Sequence, residues 1–402
     1  MIGEEIIKYS LKNLWKRKGR SFLTILSIFA GIATIFIFIS FGLGLYNYIG
    51  EIASGSSVDK VIVQAKGMAA PGLDTTFKLT DKDLEVIEKT LGVHEAVGSY
   101  TKAAEVKQGK KTIYTYLISI DPQKPIILDI SNIGIETGRN LKKTDKGKVV
   151  LGYNYMIADK IFPKAYEING KINVQGKDLD IIGFMESVGS PQDDAQIYVI
   201  NDEIKELYPN ESLSYGWIVA RVDKNDINNI VDRIEKNLRK ERGLEEGKED
   251  FFVQSFQDLI DTYSTVLNIV IGFIILIALI SVIVSAINTV NTMVTSVLER
   301  TKEIGVMKAI GARDSEIFGL FLFESSFLGF VAGVIGVILG YVITFIAWQV
   351  LVSFGWGFLK PAYPIELFIG CIVFATLTGA VSGAIPAYGA AKIRPADTLR
   401  YE

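Results

Sequence analysis

The stretch FLGFVAGVIGVILGYVITFIAWQVLVSFGWGF, residues 327–358, contains no charged side chain. A hydrocarbon core of about 30 Å needs about 20 mostly apolar residues, so this stretch predicts a membrane-spanning helix. Residues 22–46 and 266–287 are equally free of charge, and residues 365–385 contain only Glu366. These stretches are too long and too uniformly apolar for amphipathic helices of a soluble enzyme, so four membrane spans are predicted.

Charge is segregated along the 402 residues, whose net charge is only -3. Residues 47–262 contain 28 basic and 35 acidic side chains, whereas the remainder contains 14 and 10. Basic residues precede the first span, lie within the loop before the third span and follow the fourth span. By the positive-inside rule, both termini and the loop near residue 300 are cytoplasmic, and the large lobe is extracytoplasmic. The protein is therefore expected in the plasma or inner membrane.

These features predict a membrane α-helical protein with four transmembrane helices and a large inserted extracytoplasmic α+β domain. The first span is too long for a signal-peptide core and is predicted to remain as an anchor. The predicted segments, in chain order, are a cytoplasmic amphipathic helix (1–21), transmembrane helix 1 (22–46), the extracytoplasmic domain (47–262), transmembrane helix 2 (263–289), a cytoplasmic stalk and short helix (290–316), transmembrane helix 3 (317–352), transmembrane helix 4 (365–386) and a cytoplasmic tail (387–402).

Within the lobe, the first and last parts show related strand–helix–strand patterns. Residues 58–120 and 214–256 are predicted to complete one sheet, and residues 121–213 are predicted to be an insertion. The expected strands are 58–66, 97–106, 113–120, 170–186, 197–200, 215–222 and 251–256, with helices after Thr80, around 154–162 and at 226–239. The single cysteine, Cys371, lies in the fourth span, so the lobe has no disulfide and depends on its own core.

Small residues line one face of the third span, namely Gly329, Gly333, Gly336 and Gly340. Such a face allows close helix packing in lipid, where no hydrophobic force drives association. Packing within one chain and packing in a dimer both remain open. The second span continues into a polar stripe of Ser281, Ser285, Asn288, Thr292 and Thr295, which can bond to a neighbouring helix or lead the helix out of the membrane.

Catalytic and metal-binding patterns are missing from the sequence. There is one histidine, His94, and neither an H-E-x-x-H motif nor a G-x-x-x-x-G-K-[ST] phosphate loop occurs. We therefore predict no enzyme activity, no catalytic or metal-binding residue and no cofactor in this chain.

Glu324 is the one acid near the core of the third span. It is expected to reach the interface or to pair with Arg313 rather than to relay protons.

The loop after the second span, LERTKEIGVMKAIGA at residues 298–312, predicts a short amphipathic helix. Ile304, Met307 and Ile310 are expected to share its apolar face, and Gly311 suits a left-handed helix end. Either this segment is a rigid docking element on the cytoplasmic side, or it is only a turn between two spans.

Several motifs resemble one family. The run ERTKEIGVMKAIGA at 299–312, the FLFE at 321–324, the tail from Pro386 to Arg400 and the opening residues 11–24 are similar to permease subunits of ABC transporters of the MacB, LolC/LolE and FtsX type. The topology of one span, a large domain and three further spans fits the same family over the whole chain.

The resemblance implies a homodimer in the membrane that works with two copies of a cytoplasmic ABC ATPase, which binds ATP and Mg. The two parts of the lobe would be the family's porter subdomain (58–120 and 214–256) and sabre subdomain (121–213). An extracytoplasmic accessory protein is a possible partner, and no nucleic acid is expected. The residues that would form the coupling helix to the ATPase are Glu299, Arg300, Glu303, Ile304, Gly305, Met307, Lys308, Ala309, Ile310, Gly311 and Ala312.

The predicted function is that of a MacB-type permease, in which ATP hydrolysis elsewhere drives a change in the outer lobe. This mechanotransmission would export or release an amphipathic substrate such as a lipid, lipoprotein, peptide or drug. The alternative is an FtsX-like regulator of an extracellular cell-wall hydrolase or other envelope partner, without transport. A receptor or adhesin without energy coupling would have no use for the 299–312 motif.

Overall fold

The computed structural model describes residues 18–54, 58–66, 77–131 and 133–395. Most of the amphipathic helix predicted at 1–21 and the end of the tail predicted at 387–402 lie outside these residues. The described chain forms two compact units. The membrane unit contains the described residues up to Leu45, residues Val266–Val350 and the described residues from Leu359 onward. The lobe contains the described residues of Tyr46–Thr265 and the segment Leu351–Phe358.

The helices and strands are numbered in chain order. They are α1 Lys18–Ser54, β1 Lys60–Ala65, α2 Asp81–Glu88, β2 Val93–Ser99, β3 Thr101–Gln108, β4 Lys111–Ile120, α3 Ile126–Ser131, β5 Ile135–Gly138, β6 Lys148–Leu151, β7 Lys171–Val174, β8 Lys177–Met185, β9 Ile197–Ile200, α4 Asn201–Leu207, β10 Trp217–Val222, α5 Ile227–Arg242, β11 Phe251–Ser255, α6 Phe256–Glu299, α7 Thr301–Ala309, α8 Asp314–Ser353 and α9 Ile365–Ala391.

Four helices in the described chain, α1, α6, α8 and α9, are long and apolar enough to cross a membrane, as predicted. Their ends extend past the predicted spans, most of all in α6, which has 44 residues against the 27 of the predicted span 263–289. At 1.5 Å per residue this helix is about 66 Å long, well beyond a hydrocarbon core. The polar residues at both ends of α6 therefore continue the helix, and hydropathy alone underestimates its length.

The first sheet of the lobe has the strand order β11-β1-β10-β2 and is antiparallel throughout. It joins the β1–α2–β2 part to the β10–α5–β11 part, so the two predicted halves do complete one sheet. Ile87 of α2 and Ile230, Ile234 and Leu238 of α5 are buried in the core against this sheet. A capping box between Thr80 and the third residue of α2 begins that helix as the sequence predicts.

The second sheet has the order β5-β8-β6-β9-β4-β3-β7 and mixes parallel with antiparallel pairs. It includes β3 and β4, so the insertion begins at about Thr101 and the predicted boundary at 121 is wrong. The single strand predicted at 97–106 is in fact two strands that meet at Tyr100. There the Ser99 hydroxyl donates to the Ser119 carbonyl at 2.7 Å, and the Tyr100 N–H donates to the Ser119 hydroxyl at 2.8 Å.

Two further predictions inside the insertion are also wrong. The helix predicted at 154–162 is only a 3-10 turn, Tyr153–Met156. The long strand predicted at 170–186 is a hairpin of β7 and β8. Gln175 and Gly176 both have positive φ there, the geometry of a two-residue turn that matches strand twist.

The lobe also includes the residues that follow α8. The Lys160 ammonium donates to the Ser353 carbonyl at 3.1 Å, and the Phe358 N–H donates to the Gly189 carbonyl at 3.4 Å. The Phe358 ring lies 5.2 Å from that of Tyr48 at the end of α1. The lobe therefore has a third connection, through Leu351–Phe358, besides the two chain crossings by α1 and α6.

In the membrane unit, all four glycines of the predicted groove on α8 face other helices of the same chain. A Cβ on Gly329 would lie 2.5 Å from the Ala375 carbonyl oxygen of α9, and one on Gly333 would lie 2.8 Å from the Ala375 Cβ. On Gly336 and Gly340 a Cβ would lie 3.0 Å from Ile32 and Phe36 of α1. The groove thus packs α8 between α9 and α1.

The polar stripe of α6 contacts α1 at two of its five residues. The Ser285 hydroxyl donates to the Ser27 carbonyl at 2.7 Å, and the Asn288 amide donates to the Ser27 hydroxyl at 2.6 Å. The hydroxyls of Ser281, Thr292 and Thr295 instead bond back to carbonyls of their own helix. The stripe therefore both joins α6 to α1 and continues beyond that contact.

Gly329→Ala is expected to destabilise the membrane unit by about 1–3 kcal/mol, because the added methyl group collides with backbone that cannot rotate away. The matched control is Gly370→Ala on α9, where a Cβ meets nothing within 4 Å and helix propensity favours alanine. Thermal unfolding of both variants in detergent measures the difference. Equal melting temperatures for the two variants would contradict the packing described.

Candidate coupling site at the end of α6

The 299–312 segment begins where α6 ends. Arg300, with φ -106° and ψ 14°, separates α6 from α7, and its carbonyl accepts a hydrogen bond from the Ile304 N–H at 2.9 Å. Gly311 has φ +105°, and Ala312 N–H donates back to the Met307 carbonyl at 3.0 Å. The glycine thus ends α7 in a conformation that residues with a side chain rarely adopt, as the sequence predicts.

Arg300 is the buried centre of this site, with a side chain only 2% exposed. One guanidinium nitrogen lies 3.1 Å from a carboxylate oxygen of Glu324 on α8, and another lies 3.1 Å from one of Glu303 on α7. The guanidinium also lies 5.1 Å from the centre of the Phe321 ring, within reach of a cation–π interaction. Arg300 therefore joins the turn between α6 and α7 to the side of α8.

Glu324 does not pair with Arg313, which the sequence offered as a partner. It is 4% exposed and pairs with Arg300, 24 residues earlier in the chain. A carboxylate beside an apolar helix core is costly unless it is paired and hydrogen-bonded, and Arg300 supplies both. The sequence indicated that Glu324 needs a cation, but only the fold brings Arg300 to it.

Lys308 joins the other end of α7 to α9. Its ammonium donates to the carbonyls of Ala391 and Ile393, at 2.5 and 2.9 Å, where α9 ends. It also lies 2.8 Å from a carboxylate oxygen of Asp314, the first residue of α8. A cation placed on the last carbonyls of a helix satisfies acceptors that lack a partner within the helix and interacts favourably with the helix dipole. Lys308 therefore positions α7.

An apolar cluster completes the attachment of α7 to three helices. It is formed by Ile304 of α7, Met293 and Val297 of α6, Ile317, Leu320 and Phe321 of α8, and Ala387, Ala390 and Ala391 of α9. Met307 is partly buried against this cluster. Ile304, Met307 and Ile310 therefore do not share one environment, because Ile304 is fully buried whereas Ile310 is 82% exposed.

The exposed face of α7 is formed by residues four apart. Lys302, Val306 and Ile310 all point to solvent, and Val306 and Ile310 are 50% and 82% exposed. Ala309 and Gly311 are exposed next to them. The sequence analysis did not include Lys302 and Val306, although their spacing of four residues with Ile310 is visible in the sequence. Only the burial of Ile304 shows that the face with Val306 and Ile310 is the exposed one.

The eleven residues predicted for coupling thus fall into three groups by exposure. Glu299, Glu303, Ala309, Ile310 and Gly311 are exposed, Met307, Lys308 and Ala312 are half-buried, and Arg300, Ile304 and Gly305 are buried. Only the first group is accessible for contact with a partner. Arg300, Ile304, Met307, Lys308 and Ala312 of the other two groups contact neighbouring helices, so α7 combines an exposed face with a packed one.

Two family models match this chain. A MacB-like periplasmic core domain matches residues 21–237, and an FtsX-like permease C-terminal domain matches residues 263–395. The first match alone covers more than half of the chain. The second contains α7 and every residue of the site described above.

Relatives agree with these matches. The chain is 31% identical to an uncharacterized ABC transporter permease of Methanocaldococcus jannaschii, over 99% of this chain and 98% of the relative. It is 27% identical to the macrolide export ATP-binding/permease protein MacB of Neisseria gonorrhoeae, over 98% of this chain but only 60% of MacB. The crystal structure of the periplasmic region of MacB from Actinobacillus actinomycetemcomitans matches 55% of this chain, with a TM-score of 0.43 and 14% identity.

The family models and the full-length relative agree with the resemblance carried by the 299–312 motif and by the topology. The chain therefore belongs to the ABC transporter permeases that combine a MacB-like periplasmic core domain with an FtsX-like permease domain.

Proposed function

We propose that this permease couples ATP hydrolysis by a partner ABC ATPase to a conformational change of its lobe, which exports or releases an amphipathic substrate. The observation that carries the proposal is the attachment of α7 to three membrane helices beneath an exposed apolar face. In this proposal the chain has no enzyme activity of its own, and ATP and Mg are bound by the partner ATPase. Two copies of the permease form a homodimer that binds two copies of the ATPase.

The exposed face of α7 is the proposed ATPase contact. Val306 and Ile310 present apolar surface, with the ammonium of Lys302 beside them. Exposed apolar side chains framed by charges are typical of protein interaction sites. The rigid support below this face matters as much, because a contact that moved independently of the helices would transmit no force.

Force applied at α7 would pass into the helices through specific contacts. Arg300 connects α7 to α8, and Lys308 connects it to α8 and α9. The third path is α6, an unbroken helix from Phe256 to Glu299. Because α6 begins in the lobe and α8 leads into Leu351–Phe358, two of these helices continue directly into lobe residues. This supports mechanotransmission, in which helix displacement is passed to the lobe.

The match to an FtsX-like permease domain favours one alternative, a regulator that passes the same displacement to an envelope partner without transport. In both mechanisms the cytoplasmic side of the membrane carries α7 and the termini, and an accessory protein could bind the lobe. The match of residues 21–237 to a MacB-like periplasmic core domain supports transport, because the relative MacB is named a macrolide export protein.

Val306→Asp combined with Ile310→Asp is expected to lower ATPase copurification at least tenfold, because burying two carboxylates opposite an apolar partner surface is costly. Tagged permease is purified from cells that also produce its ATPase, and bound ATPase is identified by its phosphate-loop peptide and by vanadate-sensitive ATP hydrolysis. The control is Leu91→Asp, which changes a lobe side chain that is 77% exposed. Undiminished ATPase recovery in the double variant would refute α7 as the contact.

A double-mutant cycle on Arg300 and Glu324 tests the buried support. Removing either partner is expected to destabilise the membrane unit by about 1–3 kcal/mol, since the other buried charge loses one of its hydrogen-bonded partners. Arg300→Met together with Glu324→Leu is expected to cost less than the sum of the single changes, with a coupling energy of about 1–3 kcal/mol. Thermal unfolding in detergent measures this, with Glu366→Ala, an exposed acid of α9, as control. Strict additivity would mean that the pair does not stabilise the site.

Deleting the second sheet separates transport from regulation. Ser99 and Gly216 are joined by the hydrogen bond from the Gly216 N–H to the Ser99 carbonyl, at 2.8 Å, so a short glycine–serine linker can replace residues 100–215. Transport predicts that cells lose resistance to amphipathic drugs while ATPase copurification is retained. A deletion that leaves resistance unchanged but alters cell-wall integrity would favour the regulator.

A further inference from the structure

The lobe contains a cavity of about 700 Å³ that the coupling site does not explain. Its wall includes Tyr48 from the end of α1, Tyr198 of β9, Trp217 of β10 and Tyr263 near the beginning of α6. Concave sites of this size are in the range that holds small-molecule ligands. Residues from both chain crossings thus meet lobe strands around one space.

Carboxylates give this cavity its charge. Glu51, Glu186 and Asp193 line it, and the described residues of its wall include no lysine, arginine or histidine. Glu186 accepts a hydrogen bond from the Gly134 N–H at 3.1 Å, and Asp193 accepts one from the Gln196 side-chain amide at 2.8 Å. Within the residues that the structure describes, neither carboxylate forms an ion pair. Their negative charge therefore remains uncompensated by a cation.

A fourth carboxylate lies directly behind the wall. Asp194 is buried and accepts hydrogen bonds from the Ser187 hydroxyl and from the N–H groups of Val188 and Gly189. These donors are neutral groups, so they satisfy the carboxylate oxygens as hydrogen-bond acceptors without adding a positive charge beside them. Burial, together with Asp193 and Asp194, raises the pKa of the Tyr198 hydroxyl, as expected where the potential is negative.

The remaining wall is mainly aromatic and aliphatic. Tyr48, Tyr198, Trp217 and Tyr263 contribute rings, and the faces of such rings attract cations. The Trp217 indole N–H is buried and donates to no acceptor among the described residues.

We propose that this cavity binds an amphipathic cation, a molecule with an amine or quaternary ammonium group on an apolar body. The proposal rests on the proposed transport function and names its substrate class. The cation would lie among the carboxylates and aromatic rings, and the apolar body would lie against aliphatic residues such as Ile118 and Leu128. An anion of the same shape is disfavoured, because carboxylates line the cavity and the described residues of its wall include no lysine, arginine or histidine.

The position of the cavity also links binding to motion. Tyr48 and Glu51 belong to α1, and Phe256 and Tyr263 belong to α6. Any displacement of these helix ends relative to the lobe strands changes the cavity, so its affinity for a cation differs between conformations. A ligand shifts a conformational equilibrium only through such a difference in affinity.

Two ions of the same shape and opposite charge test the proposal. The full chain, purified in the neutral detergent dodecyl maltoside without any ATPase, is dialysed against tetraphenylphosphonium or tetraphenylborate, with empty micelles as blank. Saturable binding is expected for the phosphonium and not for the borate. Saturable borate binding of similar affinity would overturn the proposal.

Variants locate the site. Glu186→Gln with Asp193→Asn is expected to weaken phosphonium binding at least tenfold, whereas Asp232→Asn, an exposed acid on α5, leaves it unchanged. Tyr263→Leu, at a side chain 57% exposed, is expected to weaken binding severalfold without disturbing the fold. Unchanged affinity in both the double variant and Tyr263→Leu would overturn the proposal. Because no ATPase is present, such a failure would leave the coupling at α7 untouched.

Discussion

Close backbone contact along α8 is the constraint on which the membrane unit depends. Lipid supplies no hydrophobic force between helices, so their association depends on how closely the backbones can approach. Gly329 and Gly333 admit α9, and Gly336 and Gly340 admit α1. This arrangement puts the ends of α8 and α9 beside α7, and without it neither Glu324 nor the Ala391 carbonyl would lie within reach of the 299–312 segment.

Two buried or half-buried cations, Arg300 and Lys308, fix the position of the 299–312 segment. Arg300 is held by Glu324 and Glu303, and Lys308 is held by carbonyls at the end of α9 and by Asp314. Charged side chains in the family motif would ordinarily be assigned to partner recognition. Here two of its cations, Arg300 and Lys308, point inward and hold α7 against its neighbours, which leaves Val306, Ile310 and Lys302 exposed.

The lobe combines two sheets that meet where the chain passes from β2 to β3 at Tyr100. Ser99 and Ser119 bond across this junction, and the Tyr100 ring stacks on that of Tyr215 at 4.5 Å between centres. The first sheet carries the chain ends that lead to α1 and α6, and the second contributes to the acidic cavity. A ligand in that cavity and a partner at α7 would therefore act on the same helices.

Several features of the fold and of the 299–312 segment could be predicted from the sequence. Spans without charge, strand–helix–strand repeats and a glycine at a helix end are local signals. Hydropathy and charge determined four spans and an inserted α+β lobe, and the 299–312 motif determined the family. The tertiary structure alone decided that β3 and β4 belong to the second sheet, since a strand pattern does not show which neighbour it pairs with. It also decided that Glu324 binds Arg300 and that Ile304 is buried while Ile310 is free, because the packing of distant helices determines which side chains remain accessible.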